Sequence, residues 1–470
     1  MAIVPPPLVR RVLEIPAERL APLIATWPEP ALLESGPGFG ESGRWSLLAA
    51  RPRMVFEATE STWSLRSDSG RRETRAGDPL EALRHWLDVH NLADPGDAPD
   101  PSLPPFQGGA IGFFGYDLAP ALERLPRKAA RDSRLPDLRF ALYDTFVTID
   151  HQTGAVELWA VDLLNEGARA VESRGREWRL ALESAPLPKV HRSRIGPIES
   201  NFTRADYLAT VGQALEYIAA GDIFQVNLSQ RFSAFGHPEP LDLYLRLKRR
   251  SPAPFAAFLQ WDDLAVVSAS PEWFYQTRGD SIVTRPIKGT RPRGRNARDD
   301  ARLADELWAS PKDRAELTMI VDLERNDLGR ICRYGTVRVI DPLTVETFAQ
   351  VHHLVATIEG RIRPGAGPID AVRALFPGGS ITGAPKIRAM EIIDELEPTR
   401  RSAYTGAVGY YSRGGSSGFN IAIRTLLVEG DRVSYQVGGG IVADSDPEAE
   451  YRETLQKGRG LSAVLEGEGD

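Results

Sequence analysis

The spacing of apolar residues predicts a helix followed by a strand in the middle of the chain. Between the capping sequence Thr203-x-x-Asp206 and Gly221, apolar residues recur every three or four positions, as on one face of a helix. Residues 223–232 alternate between apolar and polar positions, which is the period of a strand. The polar positions of this strand are Gln225, Asn227 and Ser229. We therefore expect the helix to lead directly into a strand with two unlike faces.

Turn residues and capping sequences predict the elements that follow. Residues 264–268 have the composition of a strand, which ends just before Glu272. Further strands are predicted over residues 281–287, 404–411, 419–427 and 432–437, with Arg424 inside the third of these four. Ser310 and Asp446 are each followed by proline, which is the pattern of an N-cap with proline in the first helical position.

Chain length and composition narrow the class of protein. A chain of 470 residues exceeds what one simple core supports. The Pro/Ser/Arg-rich residues 184–200 mark the best boundary between two parts of the chain. We expect an N-terminal subdomain (1–195) and a second, catalytic domain (200–470), joined in one composite fold. The net charge of -7 argues against binding to nucleic acid or to an anionic membrane surface.

The sequence shows neither the pattern of a targeting signal nor that of a cysteine or histidine metal site. No apolar run approaches the roughly 18 residues that span a bilayer. Charges at Arg10, Arg11 and Glu14 interrupt any signal-peptide core, so a cytoplasmic location is expected. The single cysteine, Cys332, excludes an internal disulfide and a cysteine-cluster metal site. The seven histidines show no HExxH spacing, which argues against zinc.

The stretch around Lys288 admits three interpretations. It follows the strand predicted over 281–287 and precedes Gly289, so we expect the chain to turn sharply at the lysine. A desolvated lysine there would have a lowered pKa and act as a nucleophile or base. A solvated basic turn is the simplest alternative. An anion-binding loop is the third, because Arg291 and Arg293 lie close by.

Two predicted helices carry paired carboxylates at the same spacing. Asp313 and Glu316 lie on one face of one helix; Glu450 and Glu453, with Lys457, lie on one face of the other. Solvated faces would explain the pattern, and Asp313 equally fits the capping of its own helix. Two such faces opposite each other would repel unless a hard cation lay between them, and all-oxygen ligands suit Mg²⁺.

A glycine-rich loop at residues 376–386 leads into a helix at Pro385. Such a loop presents backbone N–H groups and a helix N-terminus to an anion. It lacks the Gly-Lys-Ser/Thr of a nucleotide-binding loop, so a carboxylate suits it as well as a phosphate.

These stretches together resemble the family of chorismate-utilising enzymes. The resemblance rests on ASPE (269–272), IKGTRPRG (287–294), KDRAE (312–316), VDLERNDLGR (321–330), HLV (353–355), GSITGAPK (379–386), YTGAVGY (404–410), IAIR (421–424) and EYRET (450–454). It implies an α+β fold with a large β-sandwich core and helices on the outer faces. Lys288 and Ser380 resemble the aminodeoxychorismate synthase component I branch, since anthranilate synthase large subunits carry alanine and usually threonine there.

The resemblance implies a role for each motif residue. Glu272 would be the general acid that protonates the departing 4-hydroxyl of chorismate, and Lys288 the covalent nucleophile, with His353 a secondary candidate. The implied substrate-binding residues are Ser380, Gly383, Tyr404, Arg424, Gly440 and Lys457. The implied Mg²⁺ ligands are Glu316, Glu450 and Glu453, with Asp313 near.

The resemblance also implies partners. Cys332 is not on a nucleophile elbow, so ammonia is expected from a separate glutamine amidotransferase subunit. A segment containing Ser35, Arg44 and Ser46 resembles the region where relatives bind tryptophan.

Three other functions would account for part of the pattern. An anthranilate synthase large subunit would share the fold and the metal but eliminate pyruvate. Isochorismate or salicylate synthase fits less well, because those enzymes use water and place their lysine elsewhere. A non-catalytic, tryptophan-binding regulatory subunit has no need of Glu272, Lys288 and four carboxylates facing a cation.

Overall fold

The computed structural model of the chain describes residues 8–93, 100, 102–348 and 351–467. Its strands are β1 (Leu8–Val12), β2 (Ala31–Glu34), β3 (Trp45–Ala49), β4 (Met54–Thr59), β5 (Thr62–Ser67), β6 (Arg72–Ala76), β7 (Gly109–Phe114), β8 (Leu138–Tyr143), β9 (Thr145–Asp150), β10 (Ala155–Val161), β11 (Arg194–Ile195), β12 (Glu199–Ser200), β13 (Gln225–His237), β14 (Phe255–Trp261), β15 (Leu264–Ser270), β16 (Trp273–Arg278), β17 (Ser281–Arg285), β18 (Ile287–Pro292), β19 (Arg338–Thr347), β20 (Val351–Arg361), β21 (Gly383–Ala384), β22 (Ala407–Ser412), β23 (Ser417–Ile421), β24 (Thr425–Glu429) and β25 (Arg432–Ile441). Its α-helices are α1 (Ala17–Ile24), α2 (Pro79–Val89), α3 (Ala168–Ser184), α4 (Arg204–Ala219), α5 (Pro240–Arg250), α6 (Ala297–Ala309), α7 (Pro311–Gly329), α8 (Pro368–Leu375), α9 (Lys386–Leu396) and α10 (Pro447–Glu466).

The strands form two large sheets, called here sheet A and sheet B. Sheet A has the order β1-β10-β9-β3-β2-β14-β15-β24-β25-β13-β11, with β12 and β21 also paired to β13. Sheet B has the order β18-β20-β17-β16-β23-β22-β7-β8-β4-β5-β6, with β19 also paired to β20. The neighbours in both sheets run antiparallel; the β13–β25 and β7–β8 pairs are examples.

The alternation of side chains along single strands explains why the sheets stack. In β14, Leu259 and Trp261 enter the apolar core shared with sheet B, whereas Phe258 points to the opposite side and joins a second core with helices α1, α3, α5 and α10. Across the shared core, the ring of Phe113 from sheet B stacks on Trp261 at 5.9 Å. The α+β sandwich with outer helices is thereby confirmed.

Both sheets combine strands from the two halves of the chain. In sheet A, β2 lies directly beside β14, and in sheet B, β7 lies beside β22. The predicted boundary near residues 195–200 stays a prediction, but the backbone ladders cross it. Within the described residues, no helix is both long and apolar enough to cross a membrane.

The helix starts are confirmed by their capping contacts. The side chains of Thr203, Ser310 and Asp446 accept hydrogen bonds from the backbone N–H groups of Asp206, Asp313 and Ala449. These three signals are local, which explains why the sequence alone was sufficient to find them.

Three strand predictions need correction around site residues. Lys288 is not on a turn after a strand: Pro286 separates β17 from β18, and the lysine lies inside β18, where pairing with β20 shifts register before Thr290. Arg424 is not inside a strand either. The chain passes from sheet B to sheet A between β23 and β24, and Arg424 makes the bend with a φ of 50°. Tyr404 precedes β22, which begins at Ala407.

Candidate active site

A cavity of about 780 Å³ gathers nearly every residue that the sequence marked as functional. The predicted residues in its lining are Glu272, Lys288, Asp313, Glu316, His353, Ser380, Tyr404, Arg424, Gly440, Glu450, Glu453 and Lys457. They come from both sheets, from α7 and α10 and from the glycine-rich loop, so only the folded chain brings them together.

Gly383 is the predicted substrate-binding residue that does not line this cavity. It pairs with Val226 in the short β21–β13 ladder, and its φ is 146°. A Cβ there would lie 2.2 Å from the carbonyl oxygen of Gln225. Close packing of the loop against β13 therefore accounts for this glycine, and its contact with substrate stays a prediction.

Ser380 connects the candidate acid with the candidate nucleophile. Its Oγ donates to Glu272 Oε1 at 2.6 Å, and its backbone carbonyl accepts from Lys288 Nζ at 3.3 Å. Glu272 is only 5% exposed, and its backbone N–H donates to Ser270 Oγ at 3.2 Å. One short segment, Gly379–Ile381, thus contacts both of these candidate side chains.

Burial shifts the pKa values of this pair toward each other. It raises the pKa of Glu272, although the hydrogen bond from Ser380 and the charge of Lys288 oppose the shift. Burial also lowers the pKa of Lys288, against the opposing charges of Glu316 and Glu272. A carboxyl that keeps its proton and an amine that loses one suit a general acid beside a nucleophile.

The backbone after Lys288 depends on a glycine. Gly289 has a φ of 70°, and a Cβ there would lie 2.7 Å from Leu307 Cδ1 and 2.8 Å from Asp313 Cγ. We expect Gly289→Ala to lower the free energy of unfolding by about 1–3 kcal/mol through the backbone conformation alone, and further through the clash. Urea unfolding of wild type and variant measures the change.

Gly212→Ala is the matched control for this prediction. Gly212 lies inside α4 with open space around its Cα and no positive φ, so alanine is expected to be neutral or stabilising there. Equal midpoints for the two variants would contradict the assigned strain.

Four carboxylates face the cavity from α7 and α10. Ser445 Oγ donates to Glu450 Oε1 at 2.7 Å, and Lys457 Nζ lies 2.7 Å from Glu453 Oε1. Glu450 and Glu453 both approach Gly439 and so lie side by side. A Cβ added to this glycine would be 3.1 Å from Glu450 Oε2 and 3.5 Å from Glu453 Oε1.

The helix opposite supplies the other two carboxylates. Burial raises the pKa of Glu316, and the neighbouring charges of Asp313 and Glu453 add to the shift. Asp313 accepts from Arg291 at 3.0 Å and donates its backbone N–H to Ser310 Oγ.

As a donor set, these oxygens fit a hard cation such as Mg²⁺. Among the described residues, however, no three acidic, histidine or cysteine side chains converge closely enough to hold a metal ion. The set would have to draw together around the ion, so Mg²⁺ remains a proposal.

The cationic wall of the cavity includes Arg424. Within the part of the chain that the structure describes, its guanidinium has no hydrogen-bond or ion-pair partner, and burial lowers its pKa. An unpaired, partly buried arginine is suited to a carboxylate ligand. Tyr404 lines the same cavity and is buried, with the guanidinium of Arg401 lying over its ring at 5.7 Å.

His353 is held as a neutral imidazole. Its Nδ1 lies 3.0 Å from Thr290 Oγ1, and its Nε2 has no partner among the described residues. Burial lowers its pKa to about 4, with Arg424 adding to the shift. A neutral ring with one open nitrogen can accept or donate a hydrogen bond in the cavity.

Asn227 and Gln225 are polar residues at the site that no sequence motif marked. Asn227 lines the cavity, and its Oδ1 has no partner among the described residues. Gln225 is fully buried behind Gly440, where a Cβ would lie 2.6 Å from its Nε2. The alternation of residues 223–232 places both on the polar face of the strand. A polar strand face that is buried in the fold is the feature from which their place in the site could have been predicted.

A second cavity, of about 720 Å³, is lined by Leu33, Glu34 and Trp45. Ser35, Arg44 and Ser46 lie next to these residues but outside the lining. The backbone N–H of Ser35 donates to Ser46 Oγ, and Arg44 forms an ion pair with Asp150 at 3.1 Å. These three side chains brace the strand ends beside the cavity.

Comparison with known proteins agrees with this geometry. The chain matches the chorismate binding enzyme family model over residues 32–463. It is 42% identical to aminodeoxychorismate synthase component 1 of Escherichia coli (strain K12), covering 93% of this chain and 94% of that protein. It is 40% identical to anthranilate synthase component 1 of Thermus thermophilus, covering 97% and 96%.

A solved structure agrees as well. The crystal structure of anthranilate synthase component I from Streptococcus pneumoniae TIGR4 superposes with a TM-score of 0.79 at 32% identity, covering 92% of this chain and 93% of that one. With the family model spanning most of the sequence and relatives near 40% identity, the chain belongs to the chorismate binding enzyme family and is a chorismate-utilising enzyme of the aminodeoxychorismate/anthranilate synthase component I type.

Proposed function

We propose that this chain is aminodeoxychorismate synthase component I, which converts chorismate and ammonia to 4-amino-4-deoxychorismate for p-aminobenzoate and folate synthesis. The observation that carries the choice is Lys288: its amine lies in the cavity, bound to the same residue that holds Glu272. Anthranilate synthase needs no amine at this position, and the resemblance places alanine there.

The first half of the proposed reaction removes the 4-hydroxyl. Glu272 donates its proton to the hydroxyl oxygen, the C4–O bond breaks, and water leaves. As it leaves, the Lys288 amine forms a bond to C2, and both ring double bonds shift by one position, from C1=C2 to C1=C6 and from C5=C6 to C4=C5. The raised pKa of Glu272 and the lowered pKa of Lys288 match these two tasks.

The second half replaces lysine with ammonia. Ammonia forms a bond to C4, both ring double bonds return to C1=C2 and C5=C6, and the C2–N bond to Lys288 breaks, which restores the free amine. The excess proton on the new C4 ammonium returns to the Glu272 carboxylate, so acid and nucleophile are both regenerated.

The charged walls of the cavity orient chorismate, which carries two carboxylates. Arg424 and Tyr404 are proposed to bind the enolpyruvyl carboxylate, with Lys457 and the backbone near Gly440 adding contacts. Glu316, Glu450 and Glu453, with Asp313 near, would hold Mg²⁺. Such an ion would neutralise charge on the ring carboxylate.

Ammonia is proposed to come from a glutamine amidotransferase subunit. Relatives are named as component 1, which implies a second component. Tryptophan is the proposed occupant of the 720 Å³ cavity beside Ser35, Arg44 and Ser46.

The product formed from chorismate tests the proposal. The purified chain is incubated with chorismate, Mg²⁺ and an ammonium salt at alkaline pH, and the product is identified by chromatography. We expect aminodeoxychorismate, which an added lyase converts to p-aminobenzoate. Fluorescent anthranilate released with pyruvate would overturn the choice of branch. The same reaction with added tryptophan, and a calorimetric titration of the chain with tryptophan, test the second cavity. If the titration releases no heat, tryptophan is not the ligand of that cavity.

A further inference from the structure

Glu324 is a buried carboxyl that the reaction above does not use. It lies on α7, the helix that also carries Asp313 and Glu316, and is 6% exposed. Among the described residues no cation forms an ion pair with it. Lys386, the nearest cationic candidate, is bonded to Asp327 Oδ2 and to the carbonyl of Leu375.

The hydrogen-bond partners of Thr284 indicate the protonation state of Glu324. Thr284 Oγ1 lies 2.7 Å from the carbonyl oxygen of Phe274 and 2.8 Å from Glu324 Oε2. A hydroxyl has one proton to donate, and a backbone carbonyl can only accept. Both contacts are hydrogen bonds only if Thr284 donates to Phe274 and a protonated Glu324 donates to Thr284.

This chain of hydrogen bonds joins the segments that carry the reacting groups. Phe274 lies two residues after Glu272, in the part of the β16–β17 pair where the register shifts. Thr284 lies four residues before Lys288. Because Trp273 pairs with Arg285, the acid and the nucleophile both flank the open end of the β16–β17 hairpin. Glu324 therefore fastens this hairpin to the helix that carries Asp313 and Glu316.

The charges around Glu324 favour its neutral form. The groups that face it are Glu272 from the segment after β15, Asp327 from its own helix and Lys386 from α9. Burial raises the pKa of Glu324 to about 8, and the charges of Glu272 and Asp327 add to the shift, whereas the contact with Thr284 and the charge of Lys386 oppose it. An ionised Glu324 would also place negative charge behind a cavity proposed to hold a dicarboxylate.

We propose that Glu324 is a positioning residue that acts as a neutral carboxylic acid, donating its proton to Thr284 to fix the hairpin that holds Glu272 and Lys288. The proposal rests on the proposed function for the roles of those two residues. Glu324 touches no substrate in this scheme; it acts through the backbone that aims them.

Substitutions that keep or remove the donor test the positioning. Glu324→Gln keeps a neutral N–H donor, so kcat should stay within about twofold of wild type at pH 7. Glu324→Leu and Thr284→Val break the chain and should each lower kcat about tenfold with little change in KM for chorismate, because misaimed groups react slowly. The two changes combined should cost no more than one alone.

Asp322→Asn is the matched control, because Asp322 is an exposed carboxylate on the same helix, paired with Arg325. Its kcat should equal that of wild type. A Glu324→Gln variant as impaired as Glu324→Leu would overturn the proposal, as would a wild-type kcat in Thr284→Val.

Two measurements report the proton itself without using activity. The infrared difference between wild type and Glu324→Gln at pH 7 should contain the carbonyl band of a protonated carboxylic acid. The Tm of Glu324→Gln should gain on that of wild type as the pH rises from about 5 to 8, because wild type must keep a proton that the unfolded chain releases. A carboxylate band, or a Tm difference independent of pH, would overturn the neutral state.

Failure of the proposed function is distinguishable from failure of this inference. The kinetic comparison uses whichever chorismate-consuming reaction the wild-type chain performs. If the product were anthranilate, the proposed branch would be wrong. The role of Glu324 would still be tested by the kcat values of Glu324→Gln, Glu324→Leu and Thr284→Val in that reaction.

Discussion

Lys288→Ala is expected to abolish most aminodeoxychorismate formation, with a loss in kcat of about 10²-fold or more, while chorismate and Mg²⁺ still bind. The size follows from losing the group that forms the covalent bond, since such a group acts only along the reaction path and contributes little to ground-state binding. Steady-state kinetics with an ammonium salt measure kcat, and calorimetric titration of the variant with chorismate measures binding.

The pH dependence provides a second check on Lys288. Its amine must be unprotonated to attack, so wild-type activity should rise with pH through the pKa of Lys288, which burial lowers from the usual lysine value. Lys128→Ala is the matched control, because that exposed lysine is paired with Glu395 away from the cavity. An unchanged rate in Lys288→Ala would remove the covalent role and with it the main support for the aminodeoxychorismate branch.

The elements that could be predicted from the sequence are those set by local chemistry. The N-caps at Thr203, Ser310 and Asp446 depend on side-chain oxygens and the next three backbone N–H groups, so no distant contact is needed to find them. The break at Arg424 could not be found in this way. Its cause is the passage of the chain from one sheet to the other, and strand-forming residues continue on both sides of the bend, from 419 to 427.

The candidate site shows the same division between local and tertiary information. Carboxylate pairs on α7 and α10 can be recognised from their spacing, but their meeting across a cavity depends on the fold. The grouping of Glu272 with Lys288 came from family resemblance, because fifteen intervening residues form two strands before the lysine. Asn227 lies in no motif, and Glu324 lies in the VDLERNDLGR motif, which assigns it no role. The importance of both follows from their burial beside groups that are distant in the sequence.

Glu272→Gln is expected to lower kcat by about 10²–10⁴-fold, the usual contribution of a general acid, with little change in KM for chorismate. The amide keeps the shape of the side chain and can still contact Ser380 Oγ, which lies 2.6 Å from Glu272 Oε1. It cannot deliver a proton to the departing 4-hydroxyl. Steady-state kinetics across pH separate this loss from a defect in binding.

The direction of the pH effect identifies the acid. Glu272 must be protonated to act, so wild-type activity should fall as the pH rises through its pKa, which burial raises above the usual glutamate value. Ser380→Ala removes a hydrogen bond that favours the charged form, so this fall should move to higher pH. Glu272→Gln should lose that part of the profile, whereas Glu306→Gln, an exposed residue paired with Arg302, should leave it in place. If the fall in Glu272→Gln stayed where it is in wild type, another group would have to supply the proton, and Glu272 would be left as a binding residue.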